Sequence, residues 1–147
     1  HTRGVTGFAV GGSLLAGDSL FLDGVARPDL QERDATAADL AGTLHETLTD
    51  RLAAFPPETV VCPGHSGEGT APRPDGTVTA TLGSLRDRLA LFDADRETAV
   101  EHLLDALPPR PANFERIVAV NAGRDRVDDG TAFELELGPN NCAASSG

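Results

Sequence analysis

The chain of 147 residues contains no Lys, Met, Trp or Tyr, and Phe is its only aromatic residue apart from His. It has two Cys, too few for a disulfide framework, so a reduced, cytoplasmic setting is expected. No apolar run approaches the ~20 residues that cross a bilayer, and no signal peptide is visible, so no membrane partner is predicted. Because an initiator Met is absent, the true start of the protein stays open.

Basic side chains are also scarce. Twelve Arg face 23 acidic residues, which gives a formal net charge of −11 and a pI near 4.6. No basic surface is available to neutralise phosphates, so nucleic acid is excluded as a partner. An acidic, Lys-free composition resembles proteins of salt-loving archaea, where carboxylates keep a protein soluble in concentrated salt. A GC-rich genome that favours Ala, Gly, Arg and Asp codons would give the same bias.

The first third of the chain has a β pattern followed by a helix. Apolar residues 7–10 and 13–16 flank Gly11-Gly12, which predicts a β-hairpin, and residues 19–22 continue apolar. Residues 23–34 contain Gly24, Pro28 and several charges and are predicted to be a loop.

Residues 36–39 form a capping box that opens a helix, and a stripe of leucines follows at four-residue spacing: Leu40, Leu44, Leu48 and Leu52. Pro56-Pro57 ends that helix, and residues 59–62 are predicted to be a short buried strand.

The rest of the chain is predicted to be mostly helical. A Gly- and Pro-rich loop over 66–76 precedes helices at about 80–91, 95–106 and 113–120, an edge strand at 131–137 and a frayed tail at 138–147. There is no internal repeat and no domain linker, and the length suits one ordinary domain. We therefore predict a single αβ unit.

Three residues of metal-ligand type lie beside predicted strand ends: His1, Asp18 and His65. A buried carboxylate at a strand end is costly unless it is paired or binds a metal, although an Asp that caps its own turn is about equally common. His1 and His65 taken alone would each be ordinary loop histidines. Together, imidazole and carboxylate donors suit zinc or non-haem iron.

The sequence around these residues resembles a known superfamily. His1-Thr2-Arg3-Gly4, Gly17-Asp18-Ser19-Leu20-Phe21 and Pro63-Gly64-His65 look like the later motifs of the metallo-β-lactamase fold, an αββα sandwich. Residues 24–29 resemble the Gly-x-Gly-Arg-x-Asp loop of the persulfide dioxygenases, with Ala26 in place of a glycine. Residues 107–121 resemble the closing segment of the same branch, to which the glyoxalase II thioester hydrolases are related.

The resemblance implies roles for individual residues. His1 and Asp18 would be metal ligands, and His65 would bind only the second metal of two-metal relatives. Arg27 would approach the carboxylates of a glutathione-like thiol, a task for which its planar forked donor is suited. The alternative for Arg27 is an ordinary solvated or ion-paired side chain. The implied activity is oxidation of a low-molecular-weight thiol persulfide at mononuclear Fe(II), and the alternative is thioester hydrolysis with two zinc ions.

The superfamily's first metal motif, His-x-His-x-Asp-His, has no counterpart in the chain. Residues 1–147 are therefore expected to be the C-terminal half of the sandwich, which alone would bind metal poorly and be inactive. A third hypothesis is an inactive half-domain that acts only by association, including with copies of itself, because an uncovered apolar sheet face tends to self-associate.

The remaining histidines and cysteines have no ligand-type spacing. His45 and His102 are predicted to lie on helix surfaces, and Cys62 is expected to be a small buried hydrophobe. Cys142 lies in the predicted tail without a catalytic base beside it.

Overall fold

A computed structural model describes residues 4–30, 36–67, 70–110, 112–136 and 143–145, with the backbone alone at 136 and 143–145. The backbone divides into two compact units. The first comprises 1–107 with 142–147, and the second comprises 108–141. The sequence-based assignment of the whole chain to one partial domain stays a prediction.

The first unit contains a four-stranded sheet in the order β1-β2-β4-β5. Its strands are β1 (Phe8–Val10), β2 (Ser13–Gly17), β4 (Val60–Pro63) and β5 (Ala80–Thr81). The predicted hairpin is confirmed, because β1 and β2 pair antiparallel across Gly11 and Gly12, whose φ angles of 56° and 80° suit a tight hairpin turn. β4 is parallel to β2, with Leu14 opposite Val61, and β5 pairs antiparallel with β4.

The connection from β2 to β4 carries the predicted helix. α1 (Ala37–Glu46) begins at the Thr36–Asp39 capping box and continues into a π-helix (Thr47–Leu52). All four leucines of the predicted stripe are buried, and Leu44, Leu48 and Leu52 share one core cluster with Leu14 and Val61 of the sheet. One face of the sheet is thereby buried under helices, as expected for a helical crossover between parallel strands.

The next helices also match the sequence pattern. The unit contains α2 (Leu82–Arg88), a 3₁₀ turn (Ala90–Phe92) and α3 (Arg96–Asp105), where helices at about 80–91 and 95–106 are predicted. Asp95 caps α3, since its carboxylate accepts from the backbone N–H and hydroxyl of Thr98. These hydrogen bonds lower the pKa of Asp95, so the cap weakens as the pH falls through that lowered pKa.

The second unit contains α4 (Phe114–Asn121) and α5 (Asp129–Glu136). α4 confirms the predicted helix at 113–120, but the edge strand predicted at 131–137 is wrong. Residues 131–136 are part of α5, because Asp128 accepts from the backbone N–H of Thr131 at 3.0 Å and from its hydroxyl at 2.9 Å. These contacts cap the helix and lower the pKa of Asp128.

Two further expectations differ from the structure. Residues 24–26, predicted to lie in a loop, form β3 (Gly24–Ala26), which pairs antiparallel with β6 (Ala143–Ser145). β6 lies inside the segment predicted to be a frayed tail, and 138–142 and 146–147 lie outside the described residues. His45 is also not a surface residue. It is 8% exposed, and its Nε2 lies 2.9 Å from the carbonyl oxygen of Ala94, which links α1 to the turn before α3.

Candidate metal centre

Asp18 and His65 meet at one edge of the four-stranded sheet. β2 ends at Gly17 and β4 ends at Pro63, and the two strands are parallel neighbours, so the residues that follow emerge side by side. The Gly64 amide donates to the Gly17 carbonyl at 2.8 Å, which extends the pairing beyond the strand ends. The Asp18 Oδ1 and His65 Nδ1 atoms are 2.5 Å apart. The sequence therefore placed these two residues correctly at a common edge.

The pair is partly open to solvent. The side chain of Asp18 is 22% exposed and that of His65 is 44% exposed. Phe21, which is buried, packs against the imidazole with its ring centroid 6.3 Å away and the two planes at 68°. An edge contact of this kind favours one orientation of the imidazole while leaving part of it accessible.

Gly64 packs closely against Asp18 and the Gly17 backbone at this edge. A Cβ atom built on Gly64 would lie 2.8 Å from Asp18 Oδ1 and 3.0 Å from the Gly17 carbonyl carbon. Both distances are shorter than ordinary carbon contacts, and the second involves backbone that cannot swing away. Gly64 therefore allows the two strand ends to come close enough for Asp18 to reach His65.

Replacing Gly64 by Ala is expected to displace the Asp18 carboxylate and separate it from His65. We expect the affinity for Zn²⁺ to fall by roughly tenfold, because groups that orient a ligand typically contribute this much. Isothermal titration of the whole protein with Zn²⁺ measures the change. The matched control is Ser66→Ala, a small substitution at an exposed position of the same loop. Equal Zn²⁺ affinities for the two variants would contradict the role of Gly64.

Asp18 and His65 carry donor groups that could hold a metal ion. The carboxylate oxygen and the imidazole nitrogen are donors that zinc and iron both accept, and the two atoms lie 2.5 Å apart. Among the described residues no group of three or more His, Cys, Asp or Glu side chains converges. His1, the third predicted ligand, lies outside the described residues. The donors present fit a metal ion but do not complete its coordination.

Arg27, the predicted substrate-binding residue, follows β3 and is 1% exposed. Its Nε donates to Asp29 Oδ1 at 2.7 Å and its Nη2 donates to Asp29 Oδ2 at 3.0 Å. Asp29 is itself buried, so the two charges form a bidentate ion pair inside the protein. This pair fits the ion-paired alternative, and the substrate role stays a prediction.

Sequence reasoning missed Asp23. Its Oδ2 accepts from the hydroxyl of Thr70 at 3.4 Å, in the loop that follows His65. A Cβ on Gly67 would lie 2.5 Å from the same oxygen, so the carboxylate lies directly against the backbone of that loop. An aspartate after an apolar run carries no signature by itself. The one sequence feature that could have suggested this contact is Gly67, two residues after His65.

The other singled-out residues do not join the centre. Cys62 is a free thiol of intermediate exposure on β4, where a buried hydrophobe is predicted. His102 lies on α3 and is partly exposed, and Cys142 lies outside the described residues. No helix in the described part of the chain is both long and apolar enough to cross a membrane.

Comparison with solved structures identifies the fold. The crystal structure of ETHE1 from Myxococcus xanthus superposes with a TM-score of 0.62 at 21% identity, covering 81% of this chain and 48% of that one. A metallo-β-lactamase from Staphylococcus aureus subsp. aureus COL superposes with a TM-score of 0.63 at 20% identity, covering 80% of this chain and 33% of that one.

The fold is that of the metallo-β-lactamases. The predicted fold class is confirmed. The chain spans less than half the length of each of these two structures, so it corresponds to part of such a fold. No family model and no curated protein matches the sequence.

Proposed function

We propose that the whole protein, in which residues 1–147 would form the C-terminal half of the metallo-β-lactamase fold, is a metal-dependent enzyme. It would oxidise a low-molecular-weight thiol persulfide. The observation that carries the proposal is the Asp18–His65 pair, a carboxylate and an imidazole 2.5 Å apart at the edge of a metallo-β-lactamase-fold sheet. The resemblance of residues 24–29 to the persulfide dioxygenase loop, and the presence of ETHE1 among the matching structures, support this branch.

The overall reaction converts one persulfide, one O₂ and one water into the thiol, sulfite and two protons. When bound, a ferrous ion would offer open coordination positions to persulfide sulfur and O₂. Asp18 would hold the ion, with His1 as the proposed imidazole ligand and a further ligand from the first motif of the superfamily. His65 would stay beside the ion and donate a hydrogen bond from Nδ1 to the Asp18 carboxylate.

The test uses the whole protein, loaded anaerobically with Fe²⁺ or with Zn²⁺. We expect one metal per chain and consumption of O₂ with glutathione persulfide as the probe, with sulfite formed in equal amount. Two metals per chain together with turnover of a glutathione thioester, and no O₂ uptake, would overturn the proposal in favour of the hydrolase.

A His65→Ala variant separates the two enzymes further. In the hydrolase Asp18 would bridge two zinc ions and His65 would bind the second, so the variant would lose one metal of two. In the dioxygenase the variant would keep its single metal. Metal content is measured by atomic emission on dialysed protein, so the result does not require the correct substrate.

A second candidate function, association through a half-domain, is favoured by one observation. The sheet face opposite the helices carries apolar side chains that are exposed: Phe8 at 64%, Val10 at 66% and Leu15 at 44%. Phe8 lies opposite Leu15 in the hairpin register, so these side chains form one continuous patch. Such a patch favours burial against a further apolar surface, which a partner chain or the rest of the sandwich could supply.

Phe8→Ser is expected to raise the dissociation constant for self-association of the isolated 147-residue chain roughly thirtyfold, because burying one Phe contributes about 2 kcal/mol. Sedimentation equilibrium over a concentration series measures this. The matched control is Phe133→Ser in the second unit, where the side chain is 66% exposed. A monomer at every concentration, or equal effects of the two substitutions, would contradict association through the sheet face.

A further inference from the structure

We infer that Asp23 is a positioning residue for the metal centre: it anchors the loop that carries His65. Only the effect of Asp23 on metal affinity rests on the proposed function. The anchoring itself is a property of the chain, and no sequence motif pointed to it.

The segment 18–23 lies against the loop that begins at Gly64 and makes three different contacts with it. Asp18 pairs with the His65 imidazole, and buried Phe21 supports the ring from its edge. Five residues after Asp18, the Asp23 carboxylate accepts from the Thr70 hydroxyl. Residues 18–23 therefore fix the position and the ring orientation of His65, and they also hold the loop at Thr70.

The contact at Asp23 combines a long hydrogen bond with close packing against the backbone of the loop. The Oδ2 atom lies 3.4 Å from the Thr70 hydroxyl and 2.5 Å from where a Cβ of Gly67 would stand. The Thr70 amide in turn donates to the Gly67 carbonyl at 3.0 Å, so both residues that contact the Asp23 carboxylate are also joined to each other. Gly67 has to be a glycine for Asp23 to occupy this position, and Gly67 lies two residues after His65.

The Asp23 side chain acts on His65 through the loop and not through direct contact with a metal. His65 has 44% of its side chain exposed, so packing alone restrains it weakly. Tying residue 70 back to residue 23 shortens the free loop and reduces the conformational entropy that it can gain. An unanchored loop would let the imidazole leave Asp18, which would weaken the metal centre without unfolding the sheet.

The first experiment is amide hydrogen exchange on metal-free protein, comparing Asp23→Ala, Asp23→Asn and Thr70→Val. We expect exchange at the Thr70 and Gly64 amides to accelerate by about five- to tenfold in Asp23→Ala and in Thr70→Val, the equivalent of one hydrogen bond. Asp23→Asn keeps an oxygen that accepts the hydroxyl and is expected to restore most of the protection. The double variant Asp23→Ala/Thr70→Val is expected to add nothing further.

The matched control is Asp75→Ala. Asp75 also accepts from a threonine, Thr77, and its pKa is lowered by that hydroxyl and amide, but it lies five residues beyond Thr70. Asp75→Ala is expected to leave the Gly64 and Thr70 amides unchanged. Unchanged exchange in Asp23→Ala would overturn the anchoring, and so would an equal acceleration at the core amides of Leu14 and Val61, which would indicate general destabilisation.

A second readout addresses positioning. The ¹⁵N shifts of the His65 ring are expected to move in Asp23→Ala and to return in Asp23→Asn, and the Zn²⁺ affinity of the whole protein is expected to fall by roughly tenfold in the former. Faster loop exchange with unmoved ring shifts would overturn the positioning role. Absence of Zn²⁺ binding in the unsubstituted protein would contradict the proposed function, yet the exchange and ring-shift results on metal-free protein would still decide the role of Asp23.

Discussion

Replacing Asp18 by Asn is expected to lower the affinity of the whole protein for a divalent metal by roughly a hundredfold or more. Groups that only orient a ligand contribute about 10- to 100-fold to metal affinity, and a direct carboxylate ligand is expected to exceed them. Asn has nearly the shape of Asp, so the sheet edge and its contact with Gly64 are expected to persist. What is lost is the negative charge and one anionic oxygen, which are the features that a metal requires.

Titration with Co²⁺, followed by its visible absorption, measures the affinity and reports the coordination geometry. Asp50→Asn is the matched control, since Asp50 is an exposed aspartate in the π-helix that follows α1. The control is expected to bind Co²⁺ like the unsubstituted protein. An Asp18→Asn variant with unaltered affinity and spectrum would remove Asp18 from the metal centre, and the Asp18–His65 contact would then be a simple turn-stabilising pair.

Features with a local sequence signal were predictable. The Gly11-Gly12 turn, the capping box at Thr36 and the leucine stripe each depend on residues a few positions apart, and each is present in the structure. The meeting of Asp18 with His65, 47 residues later, was predictable for a different reason. Both follow strands, and parallel strands joined by a helix deliver their carboxyl ends to one edge.

Features that depend on a distant partner were not predictable. β3 is a strand because β6, more than a hundred residues later, pairs with it. His45 is buried because the Ala94 carbonyl, 49 residues away, meets its imidazole. Asp23 belongs to the His65 loop because Thr70 reaches it. The residues next to a polar side chain in the sequence do not indicate that a distant partner will contact it. They therefore suggest only an exposed side chain.

The pattern at 131–137 failed for a local reason. Alternation of apolar and acidic residues favours a strand, yet the Asp128–Thr131 cap offers the backbone a helical start just before it. Only Leu135 is buried among 131–135, and Phe133 is 66% exposed, so no sheet face selects the alternation. Without a packed partner sheet, the capping signal decides the structure.

Replacing Asp29 by Ala is expected to reduce the free energy of unfolding by about 3 kcal/mol, the usual cost of breaking a buried ion pair. The Arg27 and Asp29 side chains are 1% and 7% exposed and are joined by two hydrogen bonds. Removing the carboxylate leaves a buried guanidinium without these two acceptors, and that charge cannot be lost by deprotonation. Urea unfolding monitored by circular dichroism measures the change.

Glu46→Ala is the control for this experiment, because Glu46 pairs with Arg96 at 3.7 Å where both side chains are about 60% exposed. An exposed pair of this kind contributes within roughly 0.5 kcal/mol, so the control is expected to unfold like the unsubstituted protein. Arg27→Lys extends the test, since Lys keeps the charge but cannot reproduce the bidentate geometry. If Arg27 mainly holds Asp29, Arg27→Lys lowers stability as well. If Arg27 mainly binds substrate, Arg27→Lys leaves stability unchanged and raises KM for the persulfide. A loss of stability in Asp29→Ala no larger than that of Glu46→Ala would contradict the buried pair as a structural element.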